Sequence, residues 1–177
     1  MKTKILSMLV VMAVLLAVSP RAVMRAKAAT VCEGRPNGIV IFPSIAHTSD
    51  GDSINLWGSG EADPFGRVIV RMGGEFTHFD PAGNLVRSGT WTAEKIIKFT
   101  DYGCDEDLEF DPGGRAFLRI RLTASDGSEA TGILDIQSPH GDPPPDAIDG
   151  IRLFIKDWNL NFDQPVDHRY SVFFIAF

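Results

Sequence analysis

Repeated turn signals constrain the fold of this chain more than any other feature. Three tetrads begin with Asp-Pro and end with Gly, at Asp63–Gly66, Asp80–Gly83 and Asp111–Gly114, and Asp126-Gly127 adds a tighter turn. In such tetrads Asp accepts backbone hydrogen bonds, Pro fixes φ, and Gly tolerates positive φ. The runs between them are short and rich in β-branched and aromatic residues. They predict consecutive β-hairpins.

Eight strands are expected between the turns. They are Ile39–Phe42, Ile54–Ala62, Arg67–Phe79, Leu85–Phe99, Ala116–Ala124, Ser128–Gln137, Ile151–Phe162 and Tyr170–Phe177. Apolar and polar residues alternate along several of them, which is typical of antiparallel strands with one buried face.

Two strands show this alternation best. One predicted buried face consists of Ala116, Leu118, Ile120, Leu122 and Ala124, and another of Val68, Val70, Met72 and Phe76. Glycines within strands, such as Gly58, Gly74 and Gly89, suit sharp coiling or the close approach of another backbone. We therefore predict an all-β fold, a small antiparallel β-barrel of about eight strands in meander order, with the first and last strands adjacent. A two-sheet β-sandwich is the alternative.

Two segments are predicted to be surface loops. Thr100–Phe110 is acidic, and Ser138–Asp149 is too rich in proline for a sheet. The acidic residues of the first loop are hard oxygen ligands that suit Ca²⁺, but they lack the spacing of an EF-hand, so a solvated loop is favoured and no metal is expected.

The first 28 residues are predicted to be a signal peptide. Lys2 and Lys4 precede an apolar run from Ile5 to Val18, and Ala26–Ala28 offers a small-x-small cleavage pattern. The run is short of the ~20 residues needed to span a bilayer. We therefore expect residues 29–177 to be a single secreted domain with no membrane span.

The charge balance disfavours nucleic-acid partners. Residues 1–28 carry five of the 17 Lys and Arg residues and none of the 23 Asp and Glu residues, so the remainder has 12 against 23, a net charge of −11. Such a surface repels phosphate backbones. The sequence contains no motif for a cofactor, and it leaves the oligomeric state open.

Cys32 and Cys104 are the only cysteines of the chain. In an oxidising compartment an even pair indicates a disulfide. Closing a loop of roughly 70 residues would stabilise the fold by about 4 kcal/mol in the chain-entropy picture.

No nucleophile elbow, P-loop or zinc-protease motif occurs. The catalytic candidates are weak: His78, which continues the predicted buried face of its strand, with Glu75 or Asp135 as the carboxylate partner. A satisfied buried histidine is the simpler interpretation. The sequence thus favours a non-enzymatic protein and does not decide whether the chain is an enzyme.

Three tryptophans, Trp57, Trp91 and Trp158, are placed in predicted strands, where with His78 they line a ligand cavity or fill the core. The favoured function is a secreted module that binds a small apolar ligand or a partner protein. One alternative is an isomerase or cyclase working inside the barrel. A second is a small outer-membrane barrel, because the chain ends on an aromatic strand with terminal Phe177. Strand count alone implies no function.

Overall fold

The chain forms one antiparallel sheet that curls into a nearly closed barrel, and the computed structural model describes residues 36–104, 112–166 and 171–175. These ranges contain ten strands and no helix. The strands are β1 (Gly38–His47), β2 (Ser53–Asp63), β3 (Val68–Phe79), β4 (Leu85–Cys104), β5 (Pro112–Ala124), β6 (Glu129–Ser138), β7 (Gly150–Ile155), β8 (Leu160–Phe162), β9 (Gln164–Pro165) and β10 (Val172–Ile175). The predicted all-β barrel in meander order is confirmed.

The ends of the sheet meet at β1. Strands β1 to β7 each pair with the next strand along the chain. Only Asp163 separates β8 from β9, yet β8 pairs with β7 whereas β9 pairs with Ala46 and His47 of β1. This short stretch therefore links the last hairpin back to the first strand. Strand β10 pairs with the other half of β1, over Gly38–Ile41, so the first and last strands are adjacent as predicted.

Large apolar side chains fill the barrel. Trp91, Phe76, Phe162 and Phe174 are each at most 1% exposed and belong to one core cluster. The predicted inward face of β5 is confirmed, because Ala116, Leu118, Ile120, Leu122 and Ala124 are all buried.

Strand glycines make room for the indole of Trp91. A Cβ at Gly58 would lie 2.8 Å from Cζ2 of Trp91, and a Cβ at Gly74 would overlap the carbonyl oxygen of Trp57. The indole Nε1–H donates to that same carbonyl oxygen at 3.0 Å. Neighbouring strands approach closely here because these positions lack side chains, as the predicted role of the glycines requires.

The buried face predicted for β3 is partly wrong. Met72 and Phe76 point inward, but Val68 and Val70 are 52% and 69% exposed. The pairing of β2 with β3 shifts between Glu61 and Ala62, so Val70 has no partner in β2. A β-bulge inserts one residue and reverses the direction of the side chains beyond it, which turns these two valines outward.

Two further boundaries differ from the prediction. The expected strand Ile151–Phe162 is interrupted by a turn at residues 156–159, where Asn159 has a φ of 52°. The expected turn Asp111–Gly114 is wrong, because Pro112 begins β5. Proline is tolerated as the first residue of a strand.

The predicted loop Thr100–Phe110 is also wrong over its first five residues, which complete β4, and the remainder lies outside the described residues. The proline-rich segment is confirmed as a loop from residue 139 to residue 149.

Alternate connections lie at the same end of a meander, and we call the end that carries the β1–β2, β3–β4, β5–β6 and β7–β8 turns the hairpin end. An aspartate caps each of two of these turns, and a third aspartate ties the β7–β8 turn to β6. Asp80 accepts from the N–H of Ala82, Asp126 from that of Ser128, and Asp157 from that of Thr131. Hydrogen bonds from the side chains of Asn84 and Ser128 and from the backbone of Thr131, respectively, lower the pKa of these carboxyls.

Candidate functional site

A buried histidine lies at the hairpin end of the barrel. His78 is on the same face of β3 as Phe76, as alternation predicts, and only 3% of it is exposed. Phe162 of β8 meets the imidazole edge-on, with ring centroids 5.4 Å apart. The histidine therefore sits in a largely apolar environment rather than in solvent.

Asp52 holds this imidazole in one orientation. Its Oδ1 lies 2.9 Å from Nε2 of His78, and 22% of its side chain is exposed. The β1–β2 turn fixes Asp52, because its N–H donates to Oγ1 of Thr48 at 3.1 Å and the N–H of Thr48 donates to its carbonyl oxygen at 2.9 Å. An ionised carboxylate can only accept, so in a neutral His78 the proton is on Nε2.

The other ring nitrogen of His78 is an oriented acceptor. Its Nδ1 is buried and has no hydrogen-bond partner among the described residues. With the proton on Nε2, Nδ1 offers a lone pair. An unpaired buried polar atom costs about 1–3 kcal/mol, and most such atoms in proteins are paired with protein groups or with water. A donor that reaches Nδ1 would therefore bind favourably.

An aromatic side chain covers the barrel end beside this histidine. Trp158 packs against the core, and its ring centroid lies 5.9 Å from that of Phe76. The guanidinium carbon of Arg87 lies 4.5 Å above the indole ring, in cation–π geometry. Trp158 was predicted to lie in a strand, but it belongs to the β7–β8 turn. The side chain that covers this end of the barrel therefore belongs to a surface turn and not to a strand of the barrel.

The structure places the other two tryptophans apart from this cover. Trp91 lies in β4, is 1% exposed and fills the barrel interior. Trp57 lies in β2 next to the inward-facing Leu56, opposite Glu75, and is half-buried. Of the predicted ligand-binding residues, His78 and Trp158 therefore share one end of the barrel, whereas Trp57 lies on the outer face.

Neither predicted carboxylate partner of His78 is placed beside it. Glu75 is exposed, on the opposite face of β3. Asp135 accepts two hydrogen bonds from Arg115, at 2.9 and 2.6 Å, and lies 3.7 Å from Arg152. The hydrogen bonds that Arg115 donates to Asp135 raise the pKa of Arg115. Asp135 is only 6% exposed and thus belongs to a buried cluster of ion pairs on the side of β6 that faces away from Leu134 and Ile136. Asp52 takes the place beside His78 that was predicted for Glu75 or Asp135.

Sequence reasoning missed Asp52, although a signal for it existed. The turn Asp50-Gly51-Asp52 precedes β2, and β2 and β3 form a hairpin. Hairpin pairing brings the start of one strand to the end of the next, which here places Asp52 near His78. Arg87 and Phe162 carried no comparable signal, because their contacts depend on how the barrel closes.

Other expectations fall partly outside the described residues. Cys104 is buried at the end of β4, but Cys32 lies outside them, so the disulfide stays a prediction. The acidic residues 105–110 also lie outside. Among the described residues, no group of three or more His, Cys, Asp or Glu side chains is arranged to hold a metal ion.

Within ranges 36–104, 112–166 and 171–175, no helix is long and apolar enough to cross a membrane. Comparison of the chain with protein-family models, with curated proteins and with solved structures finds no match.

Proposed function

We propose that this chain is an exported, non-enzymatic barrel module that binds a small, mostly apolar molecule at its hairpin end. One observation carries the proposal: Nδ1 of His78 is buried, oriented by Asp52 and without a hydrogen-bond partner among the described residues. A few well-placed polar groups in an apolar site are typical of small-molecule recognition.

The orientation of His78 defines the polar part of the ligand. Because Nδ1 accepts, the ligand has to donate, as a hydroxyl or an amide N–H does. The carboxylate of Asp52 on the other side of the ring disfavours an anionic ligand group. A terpene alcohol or a long-chain alcohol therefore fits better than a fatty acid or a hydrocarbon.

Trp158 is the group that ligand binding has to move. It lies over Phe76, two residues from His78 in β3, and it is carried by a four-residue turn at residues 156–159. Turns rearrange more readily than the strands that they connect. Displacement of this side chain opens the hairpin end toward the imidazole.

Tryptophan fluorescence tests this proposal. Titration with a terpene alcohol is expected to give a saturable change at micromolar concentrations, equivalent to about −8 kcal/mol. The corresponding hydrocarbon lacks the donor and should bind at least about tenfold more weakly. Equal binding of alcohol and hydrocarbon, or no saturable signal from either, would count against the proposal.

Matched variants locate the site. Trp158→Phe should remove the fluorescence change, whereas Trp57→Phe, on the outer face, should leave it. His78→Phe keeps a ring at the same position but removes the acceptor, so it should abolish the preference for the alcohol over the hydrocarbon. Retention of that preference in His78→Phe would place the site elsewhere.

An enzyme remains the second candidate, because a carboxylate that orients an imidazole is also an arrangement used in acid–base catalysis. In that case His78 would exchange a proton with the substrate at Nδ1. Asp52→Asn distinguishes the two functions: a binding module should lose affinity only, whereas an isomerase or cyclase should lose turnover of a bound substrate.

Export and the Cys32–Cys104 disulfide belong to the same proposal. The apolar run before Ala28 and the even cysteine count support them. The intact mass of the exported protein should correspond to cleavage near Ala28, and alkylation without reductant should add no mass. Two alkylated thiols or a retained N-terminus would contradict this part.

The alternative function, a small outer-membrane barrel, is tested by cell fractionation. Barrels in lipid carry an apolar outer band and a polar interior. Here Leu118 and Ile120 face inward, whereas Arg119 and Arg121 face outward on the same strand. This distribution supports release without detergent, and retention in the membrane fraction would favour the alternative.

A further inference from the structure

Strands β3 and β4 separate over half of their length. Their pairing runs from Phe79 and Leu85 to Gly73 and Thr92, and it stops there. Beyond that point Val68–Met72 pairs with β2 alone, and Ala93–Lys98 pairs with β5 alone. We call these two segments the β3–β4 split.

The split leaves backbone groups unpaired. In any strand, alternate N–H and C=O groups point to opposite sides, so a segment with a neighbour on one side only has free donors and acceptors on the other. Within the described residues, no backbone group outside the sheet pairs with Val68–Met72. Such an edge is a template for another strand.

The side chains around the split are apolar and basic. Val68, Val70 and Ile97 are 52%, 69% and 41% exposed. Four exposed cations, Arg67, Arg71, Lys95 and Lys98, flank them. The nearby Glu94 is already paired with Arg119 and Arg121, at 3.2 and 2.7 Å, and of the four cations Arg71 lies 4.0 Å from Glu61. A basic surface is a local exception in a chain whose net charge is −6.

We propose that an extended, acidic segment of a partner protein adds to β3 at Val68–Met72 as a further strand. Backbone hydrogen bonds would supply affinity, and alternate side chains would supply specificity. Apolar residues of the segment would face Val68 and Val70, and its carboxylates would face the four cations. A nucleic acid fits less well, because a phosphate backbone offers acceptors but no donors for the free carbonyl groups.

The test uses the full chain and a fluorescein-labelled eight-residue peptide of alternating Glu and Val. Fluorescence anisotropy should show saturable binding that weakens as salt is added. The same peptide with Lys in place of Glu should not bind, because it is repelled by the cations. Hydrogen exchange should slow at Val68–Met72 when the acidic peptide is present.

Two proline variants separate strand addition from simple charge attraction. Val70 is the bulge residue and has no Cα partner in β2, so Val70→Pro alters the edge that the added strand would use while leaving the paired residues of β2 and β3 in register. Val86 is an exposed valine at the register shift in the paired half of the same two strands, so Val86→Pro is the matched control. Val70→Pro should weaken binding at least about tenfold, whereas Val86→Pro should leave it unchanged.

Arg71→Glu combined with Lys95→Glu should also weaken peptide binding at least about tenfold, and more so at low salt. The proposal is overturned if the peptide shows no saturable binding up to about 1 mM. It is equally overturned if Val70→Pro binds like the wild type, or if a single-stranded oligonucleotide of the same charge binds as tightly. The small-ligand titration is independent of these results.

Discussion

The two halves of the β3–β4 pair differ in whether the strands pair with each other. We call residues 73–79 of β3 with their partners in β4 the sealed half, and the β3–β4 split the open half. From Gly73 to His78 the strands pair without a shift, and one register shift precedes the last pair, Phe79 with Leu85. From Val68 to Met72 they are apart, with exposed valines at the edge. The difference shows that local backbone geometry, rather than the hydrophobic pattern, decides where the wall closes.

Glycines hold the sealed half together. Gly73 and Gly74 of β3 lie opposite Thr92 and Trp91, and a Cβ at either position would collide with the backbone of a neighbouring strand, at Trp91 and at Trp57 respectively. Close contact between the strands is possible only because both positions lack a Cβ.

Bulges open the other half. Strand β4 has twenty residues, and its pairing with β5 shifts three times, between Ala93 and Lys95, Ile96 and Lys98, and Asp101 and Gly103. Each bulge bends a strand and increases its twist. Beyond Thr92, β4 therefore follows β5 and diverges from β3.

The largest expected effect comes from closing the space at Gly74. A Cβ there would overlap the backbone of Trp57 and Gly58, so Gly74→Ala should destabilise the protein by about 3 kcal/mol or more. Gly127→Ala is the control, because nothing lies within 4 Å of its added Cβ. Its φ of 83° should cost only about 1–2 kcal/mol. Urea denaturation measures both, and equal losses would mean that the sealed half does not depend on glycine.

A smaller loss of stability is expected when the indole of Trp91, which lies in the sealed half, is replaced. Trp91→Phe removes the hydrogen bond to Trp57 and leaves a small void, which together should cost about 2–3 kcal/mol. Trp57→Phe changes a half-buried ring on the outer face and should cost less than about 1 kcal/mol. Urea midpoints for the two variants should differ accordingly. Similar midpoints would show that the interior is not packed around Trp91.

The sequence was sufficient for the features that depend on local chemistry. Alternation in β5 predicted its buried face, Asp80 and Gly83 predicted a turn, and in-strand glycines predicted close packing. Each of these signals lies within about ten residues, where turn chemistry and the period of two operate directly.

The sequence was insufficient where one extra residue changes the direction of side chains. The bulge at Val70 reversed the expected faces of Val68 and Val70, because a bulge leaves the hydrophobic pattern intact. The sequence also did not identify the partner of His78. The predicted partners, Asp135 and Glu75, lie in strands, whereas Asp52 reaches the imidazole from a turn whose position depends on hairpin pairing.

The smallest expected effect concerns the turn that ends the sealed half. Asp80 lies between the paired residues Phe79 and Leu85. The hydrogen bond from the side chain of Asn84, followed by those from backbone N–H groups, lowers its pKa below the ordinary value of 3.8. A carboxyl whose pKa is lower in the folded state stabilises the fold above its unfolded pKa. This contribution is lost as the pH falls through the folded pKa.

Asp80→Asn should therefore reduce stability at neutral pH slightly and make the acid-induced decline shallower below about pH 4. Asn84→Ala removes the main cause of the lowered pKa while keeping the carboxyl, so its acid-induced decline should be smaller than in the wild type and should be complete at a higher pH. Melting temperatures recorded between about pH 2 and pH 7 distinguish the two variants. If both variants follow the wild-type curve, the turn contributes nothing to the sealed half, and the glycines and Trp91 alone hold it together.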